Sequence, residues 1–295
     1  MKSLKSFKQY IVEMQELAEK LLIIGKGKRY GQVVFLAGGA GSGKGFSITN
    51  FLEGDKFKVR DVDEWKKAFI KLANLKDKYP ELKSPPLDLN KPKDVLFLHK
   101  WIKEKGIKEK TLTALLSDVN QAHLPNVLFD VTLKDKKDIT DIMPHLIEAG
   151  YDTKNINIVW VLTNYSVAIQ QNRDPERARI VPEDIMLQTH EGAAKTVWNF
   201  IQKGTPRGIN GGVYIILGGK KNTVLYKGAD GKPIKTGKKK DTFVVKDFKY
   251  LTMKEPGKKM TTSSGLHAQA LDWIRQNAPR TLTNKNVFGS GKKNK

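Results

Sequence analysis

Short apolar blocks alternate along the chain with segments whose apolar residues recur at helical spacing. The apolar blocks are rich in β-branched and aromatic residues, which is typical of strands buried on both faces of a sheet. These blocks are residues 33–37, 57–59, 127–129, 156–162 and 213–217. The helical patterns are residues 64–72, 95–103, 107–119, 139–149 and 182–202. Alternating strands and helices predict an α/β fold, a three-layer sandwich built on a mostly parallel sheet.

The two ends of the chain depart from this central pattern. Apolar residues at helical spacing from Leu4 to Leu21 predict an N-terminal helix within residues 1–30. After Leu217, short β-like pieces at residues 224–226 and 242–245 are separated by Gly-Lys turns. A polar loop, a short helix and a disordered tail are predicted beyond them, at residues 250–265, 267–276 and 289–295.

The sequence therefore predicts a central domain with one extra element at each end. The predicted parts are an N-terminal helix (1–30), a central domain (31–217) and a small basic β-rich C-terminal appendage (218–295). Within the central domain, a loop rich in proline and lysine opens a predicted helical insertion at residues 76–120.

Composition excludes several kinds of site and of protein. The chain has no cysteine, which excludes disulfides, thiolate zinc sites and cysteine nucleophiles. Its five histidines are scattered without metal-ligand spacing, so any metal is expected to be Mg²⁺ held by oxygen ligands. No segment approaches the roughly 20 apolar residues that cross a membrane. We therefore expect a soluble, cytoplasmic protein.

Positive charge is concentrated near the C-terminus. The net charge is +22, and residues 204–295 hold 20 of the 53 Lys and Arg residues but 5 of the 31 Asp and Glu residues. Such a region attracts phosphate-rich partners, chiefly nucleic acid. The alternative is a lysine-rich surface that only aids solubility.

A glycine-rich motif joins the first predicted strand to a helix, which is the context that a P-loop requires. Its glycines let successive backbone N–H groups curl around phosphates, and the helix directs its positive end at the same anion. Lys44 would neutralise charge between the β- and γ-phosphates of ATP. The predicted nucleotide-binding residues are Gly38, Gly39, Ala40, Gly41, Ser42, Gly43, Lys44, Gly45 and Phe46.

The motif departs from the usual pattern directly after the lysine. Gly45 stands where Ser or Thr is common, and Phe46 stands where adenylate-kinase-type loops have a threonine. Ser47 is then the nearest hydroxyl for Mg²⁺, with Asp130 as a second weak candidate. The ion could also be held through water or mainly by the nucleotide.

Acidic residues follow two of the predicted strands, at the edge of the sheet where open α/β sheets bind ligands. Asp61 and Asp63 come after residues 57–59, and a carboxylate there could accept the proton of an attacking hydroxyl. Asp63 could instead cap the next helix. Asp130 and Thr132 follow residues 127–129 and could contact the acceptor or magnesium-bound water, or simply cap the strand end.

Three arginines within seven residues predict a lid at residues 172–182. The planar guanidinium binds phosphate oxygens with two donors and keeps its charge, which suits clamping of a transferring phosphoryl group. Arg173 and Arg179 are the predicted clamps, whereas Arg177 could pair with Asp174 or Glu176 at the surface.

In order and spacing, these elements resemble the zeta-toxin and polynucleotide-kinase branch of P-loop kinases over residues 33–202. The segment that runs from Asp61 through Asp63 to an aromatic residue and a lysine looks like the catalytic-aspartate region of that family. The resemblance implies that Asp63 is the general base and that Arg173 and Arg179 are lid arginines. It also implies an ATP- and Mg²⁺-dependent kinase.

The resemblance leaves the acceptor open, since family members phosphorylate either a nucleotide sugar such as UDP-N-acetylglucosamine or a nucleic-acid 5′-hydroxyl end. The alternative hypothesis is a non-catalytic or switch-type ATP-binding protein that binds nucleic acid through residues 204–295. The sequence also leaves open whether a neutralising protein partner exists.

Overall fold

The computed structural model describes residues 21–22, 24, 30–61, 68–70, 79–82, 87–117, 124–174, 180–236 and 242–284. The predicted helix that begins at Leu4 and the C-terminal tail lie outside these residues. Two predicted catalytic residues, Asp63 and Arg179, also lie outside them, as does Arg177.

Eight strands form two sheets in the described chain. The strands are β1 (Val33–Ala37), β2 (Lys58–Asp61), β3 (Val127–Asp130), β4 (Ile156–Leu162), β5 (Val213–Leu217), β6 (Thr223–Leu225), β7 (Val245–Phe248) and β8 (Tyr250–Lys254). The main sheet has six strands in the order β2-β3-β1-β4-β5-β8, in which β1 to β5 pair in parallel and β8 joins the edge antiparallel to β5. Strands β6 and β7 form a separate two-stranded antiparallel sheet.

Helices follow the parallel strands and cover the sheet. The described helices are α1 (Lys44–Phe51), α2 (Pro92–Glu104), α3 (Ile107–Ser117), α4 (Lys137–Thr140), α5 (Met143–Glu148), α6 (Tyr165–Asn172), α7 (Glu183–Lys203), α8 (Ser264–Asn277) and α9 (Arg280–Asn284). The prediction of one helix over residues 139–149 is wrong, because the chain forms α4 and α5 there. Pro144 lies in the first turn of α5, where its missing N–H costs nothing, and it cannot continue α4.

Alternate residues of each central strand face opposite sides of the sheet, as the pleat requires. On β1, Phe35 packs into a core that includes Val197 of α7 and Ile274 of α8. Its neighbour Leu36 packs into a second core with Phe51 of α1. Both β1 side chains are fully buried. The predicted three-layer α/β sandwich with a mostly parallel sheet is therefore confirmed.

The chain after β5 returns to the main sheet. The prediction of a polar loop from residue 250 is wrong, because β8 pairs with β5. Leu251 and Met253 alternate toward the core, which is the period of a half-buried strand. In the sequence, Lys254 interrupts that pattern. In the structure, its ammonium is buried and donates to the backbone oxygens of Asn210 at 2.9 Å and Gly211 at 2.8 Å.

The second predicted C-terminal strand is shifted along the chain. Residues 242–245 were expected to form it, whereas β7 begins at Val245 and Phe243 makes an isolated bridge with Lys235. Phe248 of β7 stacks on Phe51 of α1 with ring centroids 4.2 Å apart. The basic C-terminal segment thus contributes to both cores, and the division of the chain into domains remains a prediction.

Helices α2 and α3 form a hairpin with a small apolar cluster of its own, which contains Phe69, Trp101 and Ile102. Arg60 of β2 fixes the hairpin to the sheet by donating to the backbone oxygen of Lys108 and, at 3.1 Å, to the Thr111 hydroxyl. This contact places the hairpin beside the strand that leads to the predicted acidic residues. Among the described residues, no helix is both long enough and apolar enough to cross a membrane.

Candidate phosphate-binding site

The loop between β1 and α1 has the backbone geometry that a phosphate cradle needs. Gly41 and Gly43 have φ angles of 75° and 83°, a left-handed conformation that side chains with a Cβ rarely adopt. Gly43 is the N-cap of α1 and has no side-chain cap. The first N–H groups of a helix have no partner within it. The strand–loop–helix context therefore directs several N–H groups and the helix dipole at one point.

Lys44 joins this loop to the end of β3. Its Nζ donates to the Gly38 backbone oxygen at 2.8 Å and lies 3.5 Å from Asp130 Oδ1. The side chains of Lys44 and Asp130 are 14% and 17% exposed, so water screens this ion pair only in part. The structure thus brings two of the predicted site residues together.

The acidic ends of two strands meet beside Lys44. Asp61 and Asp130 are register partners of the parallel strands β2 and β3, so their backbones are neighbours at the carboxyl edge of the sheet. Both residues are half-buried. Thr132 donates its hydroxyl to Asp138 Oδ2 at 3.2 Å, and its backbone oxygen accepts from Gly38 N–H at 3.4 Å. The predicted acceptor-side residues therefore border the phosphate loop.

The underside of the loop is fixed by the strand ends of the sheet. Thr163, directly after β4, donates its hydroxyl to the Ser42 backbone oxygen at 2.6 Å. A Cβ on Gly218, directly after β5, would lie 2.1 Å from the same Thr163 hydroxyl oxygen. The Ser42 hydroxyl is itself buried without a hydrogen-bond partner among the described residues. A buried hydroxyl with unused hydrogen-bonding capacity fits a loop that receives an anion.

Two residues of α7 that the sequence did not predict hold the loop from the other side. Thr189 accepts from Ala40 N–H at 3.4 Å, and His190 Nε2 lies 2.8 Å from the Ala40 oxygen. Burial lowers the pKa of His190, the hydrogen bond to Ala40 opposes that shift, and the Lys44 charge adds to it. No signal in the sequence marks these residues, because α7 looks like any amphipathic helix and they lie about 150 positions from the loop.

The predicted lid lies between α6 and α7. A buried asparagine links the two ends of this segment by hydrogen bonds. Asn172 donates to the Val181 oxygen at 2.7 Å and accepts from Val181 N–H at 3.0 Å. Arg173 forms an exposed ion pair with Glu183 at the start of α7. The two ends of the predicted lid segment therefore meet at Asn172 and Val181, and Arg173 is held by a carboxylate.

Packing accounts for Phe46 after Lys44 but not for Gly45, where an added Cβ would meet open space. Phe46 packs edge-on against Phe51 at 5.5 Å and lies 6.4 Å from Phe243, which precedes β7. Ser47 is 2% exposed and donates to the Gly43 oxygen at 3.2 Å. In the part of the chain that the structure describes, no group of three or more His, Asp or Glu residues could enclose a metal ion. Mg²⁺ often binds through one or two carboxylates plus substrate phosphates, so Asp130 beside the loop fits it.

Comparisons with known proteins give similarity at the level of solved structures alone. No protein-family model matches the chain, and no curated protein matches it in sequence. A chain of the PezAT chromosomal toxin-antitoxin system of Streptococcus pneumoniae is 13% identical with a TM-score of 0.40, covering 73% of this chain and 78% of that one. A chain of the AvrRxo1-ORF1:-ORF2 structure with ATP is 9% identical with a TM-score of 0.41, covering 83% of this chain and 64% of that one. The native AvrRxo1-ORF1:-ORF2 complex contains a chain that is 10% identical with a TM-score of 0.41, covering 93% and 78%.

These similarities are all of low identity and low TM-score. Likeness of this degree establishes neither an activity nor an acceptor. The fold assignment rests instead on the strand order β2-β3-β1-β4-β5 and on the loop between β1 and α1. By these two features, the chain is an α/β protein with the P-loop nucleotide-binding fold.

Proposed function

We propose that the chain is an ATP-dependent phosphotransferase that passes the γ-phosphoryl group to a hydroxyl. The observation that carries the proposal is the position of the Lys44 ammonium, which touches both the phosphate loop and the Asp130 carboxylate. An ammonium in this position can bind the β- and γ-phosphates of a triphosphate, and the carboxylate beside it can help to hold a metal ion.

The phosphate loop and Lys44 form the nucleotide half of the proposed site. Backbone N–H groups of the loop and the N-terminus of α1 bind the β- and γ-phosphates. On binding, Lys44 exchanges the Gly38 oxygen for phosphate oxygens and neutralises charge that develops in the transition state. Asp130 would hold Mg²⁺, which supplies further neutralisation of the phosphate charge when bound.

The ends of β2 and β3 form the acceptor half. Asp63 is the proposed general base, two residues beyond Asp61 at the end of β2. Its carboxylate takes the proton of the acceptor hydroxyl as the oxygen attacks the γ-phosphorus and the bond to the β-phosphate oxygen breaks. Asp61 and Thr132 are the proposed acceptor contacts.

Two arginines of the lid are the proposed clamp on the transferring group. Arg173 would leave Glu183 and, with Arg179, contact the γ-phosphoryl oxygens when the lid closes. The exposed Arg173–Glu183 ion pair costs little to break, because surface ion pairs contribute about 0–1 kcal/mol.

The acceptor is proposed to be phosphate-rich, either a nucleotide sugar or a nucleic-acid 5′-end. Lysines after β5 support this class, since Lys220 and Lys221 are exposed and follow Gly218, which touches the loop backbone. Further exposed lysines continue along the same C-terminal segment, at Lys227, Lys232, Lys235, Lys246 and Lys249.

The test incubates the protein with γ-labelled ATP, Mg²⁺ and two acceptor pools, one of cell metabolites and one of 5′-hydroxyl oligonucleotides. We expect label to enter one pool, and Lys44→Ala to abolish its transfer. Lys258→Ala is the matched control, because Lys258 forms an exposed ion pair with Glu255 outside the site. Label that appears in free phosphate alone would overturn the transferase proposal in favour of a nucleotide-driven switch.

A further inference from the structure

The tip of the phosphate loop rests on α7 through a buried histidine that the proposed transfer step does not use. His190 is 6% exposed, and its Nε2 lies 2.8 Å from the Ala40 oxygen. A carbonyl oxygen only accepts hydrogen bonds, so Nε2 carries the hydrogen and the neutral ring is the Nε2–H tautomer. Thr189 binds the N–H of the same residue, so both backbone polar groups of Ala40 face α7.

The ring also determines which residue can occupy position 39. A Cβ placed on Gly39 would lie 2.2 Å from His190 Cδ2. Gly39 is not among the glycines with a positive φ, so its backbone conformation is open to alanine. Glycine is required there by contact with His190 and not by its dihedral angles.

The same contact joins the loop to the base of the lid. Ala40 packs with Ala168 of α6, with Val181 and with Met186 of α7. Val181 is the residue that Asn172 holds through two hydrogen bonds at the lid base. The tip of the phosphate loop and the base of the predicted lid therefore form one packed unit. His190 makes a polar contact with the loop within this unit.

We propose that His190 is a positioning residue for nucleotide binding, which holds the Ala40 carbonyl so that the phosphate loop keeps its anion-binding conformation. The inference rests on the proposed function, because it assigns His190 a role in that same nucleotide site. It extends the site from the loop and strand ends to α7.

Burial, more than the charges around it, keeps the ring neutral near pH 7. Burial and the Lys44 ammonium lower the pKa of His190, and the hydrogen bond to Ala40 opposes them. Tyr165 of α6 packs edge-on against the ring at 5.2 Å. Burial raises the pKa of Tyr165, with Glu183 and Glu191 adding to the shift, so Tyr165 is a neutral neighbour. The Nε2–H donor to Ala40 is present in this neutral tautomer, and a protonated ring would carry it as well.

The test measures the Kd for MgATP by calorimetry, together with the free energy of unfolding, in a set of variants. We expect His190→Ala to weaken binding about tenfold, the equivalent of one lost hydrogen bond in a buried site. His190→Gln should recover part of that loss, because its amide can donate to Ala40. His145→Ala is the matched control, since His145 is an exposed histidine of α5.

A double-mutant cycle keeps the inference testable where a single variant only loses stability. Gly39→Ala should weaken MgATP binding by about tenfold or more, and the same change should cost much less in a His190→Ala background, because the clashing ring is gone. Additive penalties would overturn the inference. So would His190→Ala protein that binds MgATP as tightly as the wild type.

Failure of the inference and failure of the proposed function give different results. Wild-type protein that does not bind MgATP would overturn the proposed function. Wild-type protein that binds MgATP while His190 shows the Nδ1–H tautomer in ¹⁵N NMR spectra would overturn the inference alone.

Discussion

At the scale of single residues, the site depends on two contacts that each join distant parts of the chain. Lys44 contacts Asp130, which lies at the end of a different strand. His190 contacts Ala40 from a helix on the other side of the loop. Removing one partner of a partly buried pair leaves the other without compensation, which costs more than the pair itself contributes. Substitutions at either contact are therefore expected to lower stability as well as to weaken nucleotide binding at the proposed site.

Asp130→Asn is expected to weaken MgATP binding about tenfold or more, because it removes the negative charge next to Lys44 and the proposed Mg²⁺ ligand. Binding of ATP in EDTA should change much less. Calorimetry with and without Mg²⁺ measures both. Asp272→Asn, an exposed residue of α8, is the control. If Mg²⁺ changes the ATP affinity of Asp130→Asn as much as it changes that of the wild type, Asp130 does not hold the ion.

His190 is also expected to make stability depend on pH. Its pKa is lowered from 6.5 in the folded chain, so the unfolded chain binds more protons at this residue. Stability is therefore fully present above pH 6.5 and falls as pH decreases through the folded pKa. Denaturant unfolding at pH 7.5 and at more acidic pH measures the free energy of unfolding. Any excess in the free energy of unfolding of the wild type over that of His190→Gln should become smaller toward low pH. A constant difference would contradict the expected sign.

At the scale of elements, α1 links the phosphate loop to the C-terminal segment. The helix begins at the loop and ends in the ring stack of Phe51 on Phe248 of β7. Asn50 of the same helix accepts from Phe243 N–H at 2.7 Å. The C-terminal segment therefore supports the helix whose N-terminus faces the proposed phosphate site.

Phe248→Ala is expected to destabilise the whole protein by about 3–5 kcal/mol, the usual cost of removing a buried aromatic ring. Val224→Ala on β6 is the matched control, since Val224 is 50% exposed and should change stability by less than about 0.5 kcal/mol. Denaturant unfolding followed by tryptophan fluorescence measures both. Two separate transitions, with the variant affecting only one, would show that the C-terminal segment folds independently.

At the scale of the whole molecule, charge and fold combine at one edge of the sheet. Three features lie at the carboxyl ends of parallel strands. They are the phosphate loop, the acidic strand ends and the segment that starts with Lys220. Ligands of open α/β sheets bind at this edge. The net charge of +22 raises the local concentration of phosphate-rich molecules around it.

Replacement of Lys220 and Lys221 by glutamate is expected to weaken binding of a 5′-hydroxyl oligonucleotide and to flatten its salt dependence. Each lost phosphate contact lowers the slope of log K against log salt by about 0.7 for a single strand. Lys154→Glu with Lys203→Glu is the matched control, because both lysines are exposed and Lys154 precedes the amino end of β4. Fluorescence anisotropy across a salt series measures the slopes. Equal slopes in the two double variants would reject this use of the C-terminal lysines.

Features that depend on a few consecutive residues were predictable from the sequence. The bounds of β1, β4 and β5 match the predicted blocks, because strands buried on both faces read as uninterrupted apolar runs. The phosphate loop was predictable because its glycines, lysine and following helix are contiguous. The strand β8 was not, since the buried Lys254 and the polar residues around it made the segment look like a loop.

The sequence by itself determined the class of fold and predicted a place for a phosphate group to bind, because hydrophobic period and glycine geometry are local properties. Only the tertiary structure decided which distant residues complete the site. It brought Asp130 to Lys44 and His190 to Ala40, joined Asn172 to Val181 across the predicted lid, and inserted β8 into the main sheet. These contacts arise from the packing of helices and strands far apart in the chain, and no local pattern specifies which residues that packing places together.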